Sequence, residues 1–279
     1  MHTSRGVNIT WNGVPTFTQF QTTDSFIKAH HSDADIIVYN GCAIEDSMPL
    51  ISGDNLVTLV KKGLPSKALL REMMVCRHSP GVHNALCNAT VGIAGLGGLG
   101  SHVAIALARM GIGKLIIADF DVVEPTNLNR QAYLVSHLGC FKADALKRQL
   151  SEIHPYTDVD AHVVRLTTEN TMGLFETCDV VVEAFDRADQ KAMLVNLILS
   201  EGNMPIVAAS GMAGLYSGNL IKSKQRTSRL FVVGDERHEA TPGKGLMAPR
   251  VLIAAGHQAL VVSQLITGQL DFDHNNDMR

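Results

Sequence analysis

The chain has 279 residues, 46% hydrophobic and 18% charged, which is enough apolar material for one large domain or two smaller ones and too much for a disordered regulator. Its 24 Lys and Arg against 27 Asp and Glu give a formal charge of −3, so no global basic field holds nucleic acid or an anionic membrane, although a local site for a nucleotide is compatible with it. No apolar run reaches the roughly eighteen residues that span a bilayer, and the polar start Met1-His2-Thr3-Ser4-Arg5 lacks the apolar centre of a signal peptide, so a cytoplasmic protein is expected.

The first sixty residues are short-stranded and rich in turns. Val7 to Trp11 and Thr16 to Phe20 flank Asn12-Gly13, a strong hairpin signal. A helix is expected near Asp24 to Ala29, then strands at Asp35 to Tyr39 and Asn55 to Val60. From Asn88 the texture changes to buried strands alternating with helices. Thr90 to Ala94 and Lys114 to Ala118 read as strands, with His102 to Met110 as the helix between them. Gly139 to Ile153 has an apolar helical face, and Val180 to Ala184, Ala188 to Ser200 and Ile206 to Ser210 repeat the strand, helix, strand order. This order predicts an α/β fold, a doubly wound and mainly parallel sheet of Rossmann type. Lys222 to Ala248 reads as a mobile loop system, and Val251 to Ile266 as a closing helix. The expected division is a small domain at residues 1–64, a linker or helical segment at 65–87, and a nucleotide-binding domain at 88–279.

Gly95-Leu96-Gly97-Gly98-Leu99-Gly100 follows a strand and opens a helix, the setting in which backbone N–H groups approach a phosphate. Ser101 and His102 stand where a P-loop needs Lys and Ser or Thr, so that alternative fails. Asp119, nineteen residues beyond Gly100 at the end of the next strand, is placed to bind a ribose diol. Arg130 and Lys142 then supply two cations of the kind that stabilise charge building on phosphate oxygens, which suits a triphosphate better than a nicotinamide cofactor. Glu183 and Asp186 follow a central strand, and one of them is expected to hold magnesium. Taken singly, each has a plainer explanation: Arg130 caps a helix, Lys142 lies on a solvated face, and Asp186 is a helix N-cap.

Together the glycine loop, Asp119-Phe-Asp121, Asn127-Leu-Asn129-Arg130-Gln131, Lys142 and Glu183-Ala-Phe-Asp186 resemble the ThiF/MoeB/HesA family of ubiquitin-activating-enzyme-like adenylyltransferases, over about residues 75 to 268. Ala208-Ala-Ser-Gly-Met-Ala-Gly214 and Gly245-Leu-Met-Ala-Pro-Arg250 fit the family's shorter, second type. The resemblance implies a homodimer that uses ATP and Mg2+ to adenylate the C-terminal glycine of a small β-grasp sulfur carrier ending in Gly-Gly. It implies Gly95, Gly97, Gly98, Gly100, Asp119 and Asp121 around the nucleotide, with Asn127, Arg130 and Lys142 on the phosphates and Asp186 on the metal. It also implies an arginine sent into the partner subunit's site, with Arg77 the first candidate and Arg71 the second. The first sixty residues resemble ThiS, the β-grasp carrier itself, but Lys61-Lys62-Gly63-Leu64-Pro65 runs on where that carrier ends in a free Gly-Gly. Only a free terminal carboxylate can be adenylated, so packing, docking or regulation is the expected role of this unit.

The five cysteines (Cys42, Cys76, Cys87, Cys140, Cys178) form no C-x-x-C pair, so no zinc is expected, and Lys222 to Ala248 contains no cysteine for a covalent sulfur-transfer step. His102, opening the helix beside the glycine loop, either contacts the nucleotide or simply packs. Three other readings stay open: adenylation of a peptide or tRNA-linked carboxylate, a nicotinamide-dependent oxidoreductase, and a non-catalytic binding module whose fused carrier-like unit occupies the substrate cleft.

Overall fold

The computed structural model describes residues 6–61, 63–79 and 81–271, and the polar start used to argue against a signal peptide lies outside them, as does Lys62. The chain divides into two compact units between Asn84 and Ala85.

In the first unit, Asn12 (φ 49°) and Gly13 (φ 79°) take the successive left-handed conformations of a two-residue hairpin turn. They join β1 (Val7–Trp11) to β2 (Val14–Thr18), with Trp11 opposite Val14. The turn is so tight that β2 begins two residues before the expected Thr16. Thr22 caps α1 (Thr23–His30) by accepting the Ser25 N–H. β3 (Ile36–Tyr39), β4 (Cys42–Ala43) and β5 (Asn55–Leu59) complete a five-stranded sheet ordered β2-β1-β5-β3-β4, with β5 parallel to β1 in the centre. This is the β-grasp arrangement. Phe26 and Ile27 of α1 pack on one face with Ile9, Leu50 and Leu56. Leu69 and Met73 of α2 (Lys67–Arg77) pack against Val38, Val57 and Leu59. Much of the expected connecting segment is therefore a helix belonging to the first unit, because β5 is apolar on both faces and needs a second cover.

Asp54 ties this unit together: its carboxylate accepts from the Tyr39 hydroxyl (2.7 Å), Asn40 Nδ2 (2.9 Å) and the Ile51 N–H (2.7 Å). Burial alone would raise this carboxyl, yet these bonds hold it below its ordinary value. Its stabilising contribution is therefore complete above the unfolded pKa of about 3.9 and is lost as pH falls through the lower folded value. Asp54→Ala is expected to cost about 2–4 kcal/mol by orphaning three donors. Fluorescence of Trp11, the single tryptophan of the chain, reads that loss in a thermal melt, and the deficit should narrow on acidification below pH 4.

α3 (Val82–Leu86) carries the division between the units. In the second unit the strands are β6 (Thr90–Ala94), β7 (Lys114–Ala118), β8 (Asp158–His162), β9 (Val180–Glu183), β10 (Ile206–Ala209), β11 (Lys222–Gln225) and β12 (Leu230–Gly234). Their order is β11-β12-β10-β9-β6-β7-β8, with every pairing parallel except β11 with β12. The helices are α4 (Gly98–Arg109), α5 (Lys142–Ile153), α6 (Thr171–Phe175), α7 (Ala188–Glu201) and α8 (Ala248–Thr267). The order reverses between β6 and β9, the point where such sheets open a crevice at their carboxyl ends. The expectation of a loop system from Lys222 to Ala248 is corrected here. Its first part is an antiparallel edge pair, because β12 extends the parallel core beside β10 while the charged β11 faces water as a protected edge. Among the described residues α8 alone has the length and apolar composition to cross a membrane. Its Arg250, Val251, Ala254, Ala255, Gln258, Ala259, Val261 and Val262 are buried in the protein, and Gln258 donates to the carbonyls of Glu183 and Val207, as befits a core helix.

Candidate active site

The crevice at the reversal point is a cavity of about 470 Å³. Its floor is made where the glycine loop turns from β6 into α4. Gly95 (φ 89°) needs the left-handed conformation, and a Cβ there would sit 2.9 Å from the Ala184 carbonyl oxygen. Gly97 is the α4 N-cap and offers no side chain to cap the helix, so the positive helix end opens toward the cavity that Gly95, Gly97, Gly98 and Leu99 line. Gly100 does not line it. A Cβ at Gly100 would lie 1.9 Å from the Gly95 carbonyl oxygen, so its task is the close packing that lets the loop turn. Gly100→Ala must displace backbone and is expected to cost about 3 kcal/mol, which a calorimetric melt would detect.

Asp119 directly follows β7 and accepts two backbone bonds, from the Leu96 N–H (2.7 Å) and the Asp121 N–H (2.8 Å). Burial pushes its carboxyl up, partly offset by Lys142 and those two N–H groups. The carboxylate thus fixes the glycine loop, and each oxygen keeps accepting capacity for a ligand. Lys142 begins α5 and is only 6% exposed, with Nζ 2.9 Å from Asp121 Oδ2, so it does not sit on a solvated face. Arg130 donates from Nη1 to the Thr126 carbonyl (3.2 Å) and Asn129 Oδ1 (2.9 Å), while its buried Nε has no partner. The capping explanation for Arg130 is therefore partly right, and the guanidinium still has donors left for the cavity it lines.

Asp186 lies on the cavity wall with an exposed side chain, and the N-cap of α7 is Arg187, which removes the capping explanation. Its neighbour Glu183 is corrected as a metal candidate. It is fully buried, both its oxygens lie 2.9 Å from Lys191 Nζ, and it also accepts from the Phe185 and Ala209 N–H groups. Burial raises its carboxyl despite Lys191. The pair rivets the ends of β9 and β10 together and leaves no oxygen for a cation.

Asn127 lies outside the cavity lining. It is buried, and its Oδ1 accepts the Glu124 N–H (3.1 Å), so it shapes the loop that carries Arg130. His102 also acts on that loop, with Nε2 3.1 Å from the Arg130 carbonyl, and burial lowers its pKa. Arg77 is exposed at the end of α2 in the first unit, and Arg71 donates to Asn84 Oδ1 (2.9 Å). Cys42, Cys87, Cys140 and Cys178 form no disulfide among the described residues and none lines the cavity; burial pushes Cys178 up to about 12, and the Cys76 side chain lies outside the described residues.

Two features escaped the sequence reading. The Arg165 guanidinium lies 4.3 Å over the Phe120 ring on the cavity wall beside Asp119, where β7 ends. At the opposite end, His238 lines the cavity with its ring bound to Asp235. These groups come from three separate loops, after β7, β8 and β12, so no single motif spacing joins them.

The ThiF family profile matches residues 69–278 and the ThiS-like ubiquitin profile matches residues 7–63. The chain belongs to the ThiF family. Its cavity thus lies in the ThiF unit, and the β-grasp unit is the ThiS-like domain. The chain is 35% identical over 129 residues to the adenylyltransferase and sulfurtransferase MOCS3 of Dictyostelium discoideum, covering 46% of this chain and 30% of that protein. It is 36% identical over 130 residues to the tRNA threonylcarbamoyladenosine dehydratase of Bacillus subtilis, covering 46% of this chain and 51% of that one. The matches therefore span about half or less of these relatives. Among solved structures, the E. coli tRNA threonylcarbamoyladenosine dehydratase in complex with ATP shares the fold, with a TM-score of 0.67 at 20% identity, covering 74% of this chain and 98% of that one.

Proposed function

We propose that this ThiF-family chain is an ATP-dependent adenylyltransferase that activates the C-terminal glycine carboxylate of a small ThiS-like sulfur carrier, for thiamine or a related sulfur-requiring synthesis. The observation that carries this is the meeting of Asp119, Arg130, Lys142, Asp186 and an uncapped helix N-terminus in one cavity. The adenosine sits toward Asp119 and the Phe120–Arg165 pair, and the phosphates sit over the glycine loop between the two cations. The carrier carboxylate attacks the α-phosphorus, pyrophosphate leaves, and Arg130 and Lys142 stabilise the charge that builds on the phosphate oxygens. Asp186, a hard carboxylate on the cavity wall with no hydrogen bond among the described residues, would hold Mg2+, which would supply positive charge against that developing on the phosphates. No protein nucleophile is needed for this step. The ThiS-like likeness of residues 7–63 supports a β-grasp carrier as partner, since the family's own carrier fold is fused to the enzyme. Leu252, Ile253 and Leu260 expose an apolar stripe on α8 that suits a homodimer contact, and exposed Arg77 is the arginine we assign to the partner's site.

The test is exchange of labelled pyrophosphate into ATP, with Mg2+ and a β-grasp carrier ending in Gly-Gly. Exchange that disappears when the terminal glycine is removed supports the reading. The second reading, a tRNA-linked carboxylate, is favoured by the likeness to the Bacillus subtilis dehydratase. ATP consumption driven by tRNA and not by the carrier would select it. The family match favours adenylation over the nicotinamide alternative.

A further inference from the structure

The cleft has two halves. One, over the ends of β6 and β7, is occupied by nucleotide in the reading above, and the other, over the ends of β9, β10 and β12, is left for the acyl group and whatever receives it. His238 lies in this second half and is held from several sides. Its Nδ1 is 2.7 Å from Asp235 Oδ2, and its own N–H donates to Asp235 Oδ1 (2.9 Å). Its carbonyl accepts the Met212 and Ala213 N–H groups (2.9 Å each), and its ring stacks on Tyr216 at 3.7 Å and 23°. The Asp235 side chain is 2% exposed, and it also accepts from the Arg237 N–H and pairs with the buried Arg250 guanidinium. Burial alone would raise this carboxyl, but those donors keep it far below the usual range, so it is ionised. An ionised acceptor on Nδ1 fixes the proton there and leaves Nε2 as the accepting nitrogen. Arg250 already balances the carboxylate charge. Among the described residues, no other histidine and no thiol lines the cavity.

Adenylation gives such a group no work, because the attacking carboxylate carries no proton. The step after it does. A neutral thiol or amine that displaces AMP must lose a proton as it attacks.

We propose that His238, oriented by Asp235, is the base for that second step, the transfer of the acyl group from AMP to an external thiol; this rests on the adenylation reading. The acceptor sulfur bonds to the acyl carbon, its S–H proton passes to His238 Nε2, the acyl C–O bond to phosphate breaks, and AMP leaves with the bonding pair. No oxidant or reductant is required. With no thiol on the cavity wall among the described residues, the acceptor is taken to be external.

The test uses the full chain with ATP, Mg2+ and a Gly-Gly carrier, measuring pyrophosphate exchange and thioester formation with 2-mercaptoethanol in the same preparation. In His238→Ala the ratio of transfer to exchange should fall on the order of 100-fold, the scale of a lost general base. With 4-nitrothiophenol, a thiolate at neutral pH, that deficit should shrink at least tenfold, since no proton need be removed. His238→Gln keeps a polar side chain but no base and should behave like the alanine variant. An unchanged ratio, or one deficit common to both thiols, overturns the proposal while adenylation stands. A wild-type chain inert in exchange with every carrier overturns the adenylation reading and this inference with it.

Discussion

Lys142→Ala is expected to lower the carrier-dependent exchange rate by about 10²–10³-fold, the scale of removing one preorganised donor from a developing oxyanion. Lys142 reaches the cavity as a nearly buried cation that pairs with the half-exposed Asp121 and also offsets the buried Asp119 carboxyl. Water can solvate Asp121 once the ammonium is gone, but the buried Asp119 loses a compensating charge, so a stability cost of about 1–3 kcal/mol is expected, and the melt separates it from the loss of rate. Arg130→Ala should have a similar effect on rate, with little change in melting temperature, because its partners Thr126 and Asn129 are on an exposed loop. Lys142→Arg should not restore the rate, since a planar fork does not replace a point charge in a closed site. The measurement is exchange kinetics alongside a thermal melt of each variant. Exchange within threefold of the wild type in Lys142→Ala would make the lysine a mere counter-ion for Asp121.

Lys191→Met should produce the largest loss of stability in the ThiF unit, about 3–5 kcal/mol, because it leaves the Glu183 carboxylate uncompensated in the core. Glu183 is fully buried and its carboxyl is already raised by burial, even with Lys191 beside it. Without the lysine that value rises further. A carboxyl whose folded pKa lies above the unfolded one penalises the ionised fold, so the penalty is full above the folded value and falls away as pH drops through it. The variant should thus recover stability on mild acidification, in the pH range where the Asp54 contribution of the wild type is still intact. Chemical denaturation at two pH values reads this, and a deficit independent of pH would show that Glu183 does not carry it. Lys191→Met/Glu183→Gln should be milder than the single change, since an amide needs no counter-ion.

That the glycine loop, Asp119, Arg130 and Lys142 meet in one cavity was legible because the arrangement is local. The glycine loop, Asp119, Arg130 and Lys142 lie within a single strand, helix, strand, helix run, where spacing along the chain translates directly into position at the carboxyl edge of the sheet. Asn127 and Gly100 show the limit of that translation. Both stand within the motif, yet one turns its amide oxygen onto the Glu124 N–H and the other packs against the Gly95 carbonyl, and only backbone geometry distinguishes a residue that lines a cavity from one that shapes the loop beside it. Glu183 and Asp186 are three residues apart and looked equivalent, but strand period and a sharp turn bury the first against Lys191 and expose the second. The helix Lys67–Arg77 was missed as part of the first unit because its sequence does not show what it covers. That follows from β5, whose Val57 on one face and Leu56 on the other both need a partner.

The run β6, α4, β7, α5, the Asn12-Gly13 hairpin and the glycine loop follow from the sequence itself, because each depends on short-range periodicity, turn conformation and glycine freedom, whereas the strands β8, β11 and β12 do not. The pairing of Lys191 with Glu183, the union of His238 with Asp235, Arg250 and Tyr216, and the seating of β12 beside β10 are decided only in three dimensions. They join residues from separate elements, and their strength comes from exclusion of water at contacts the linear chain does not contain.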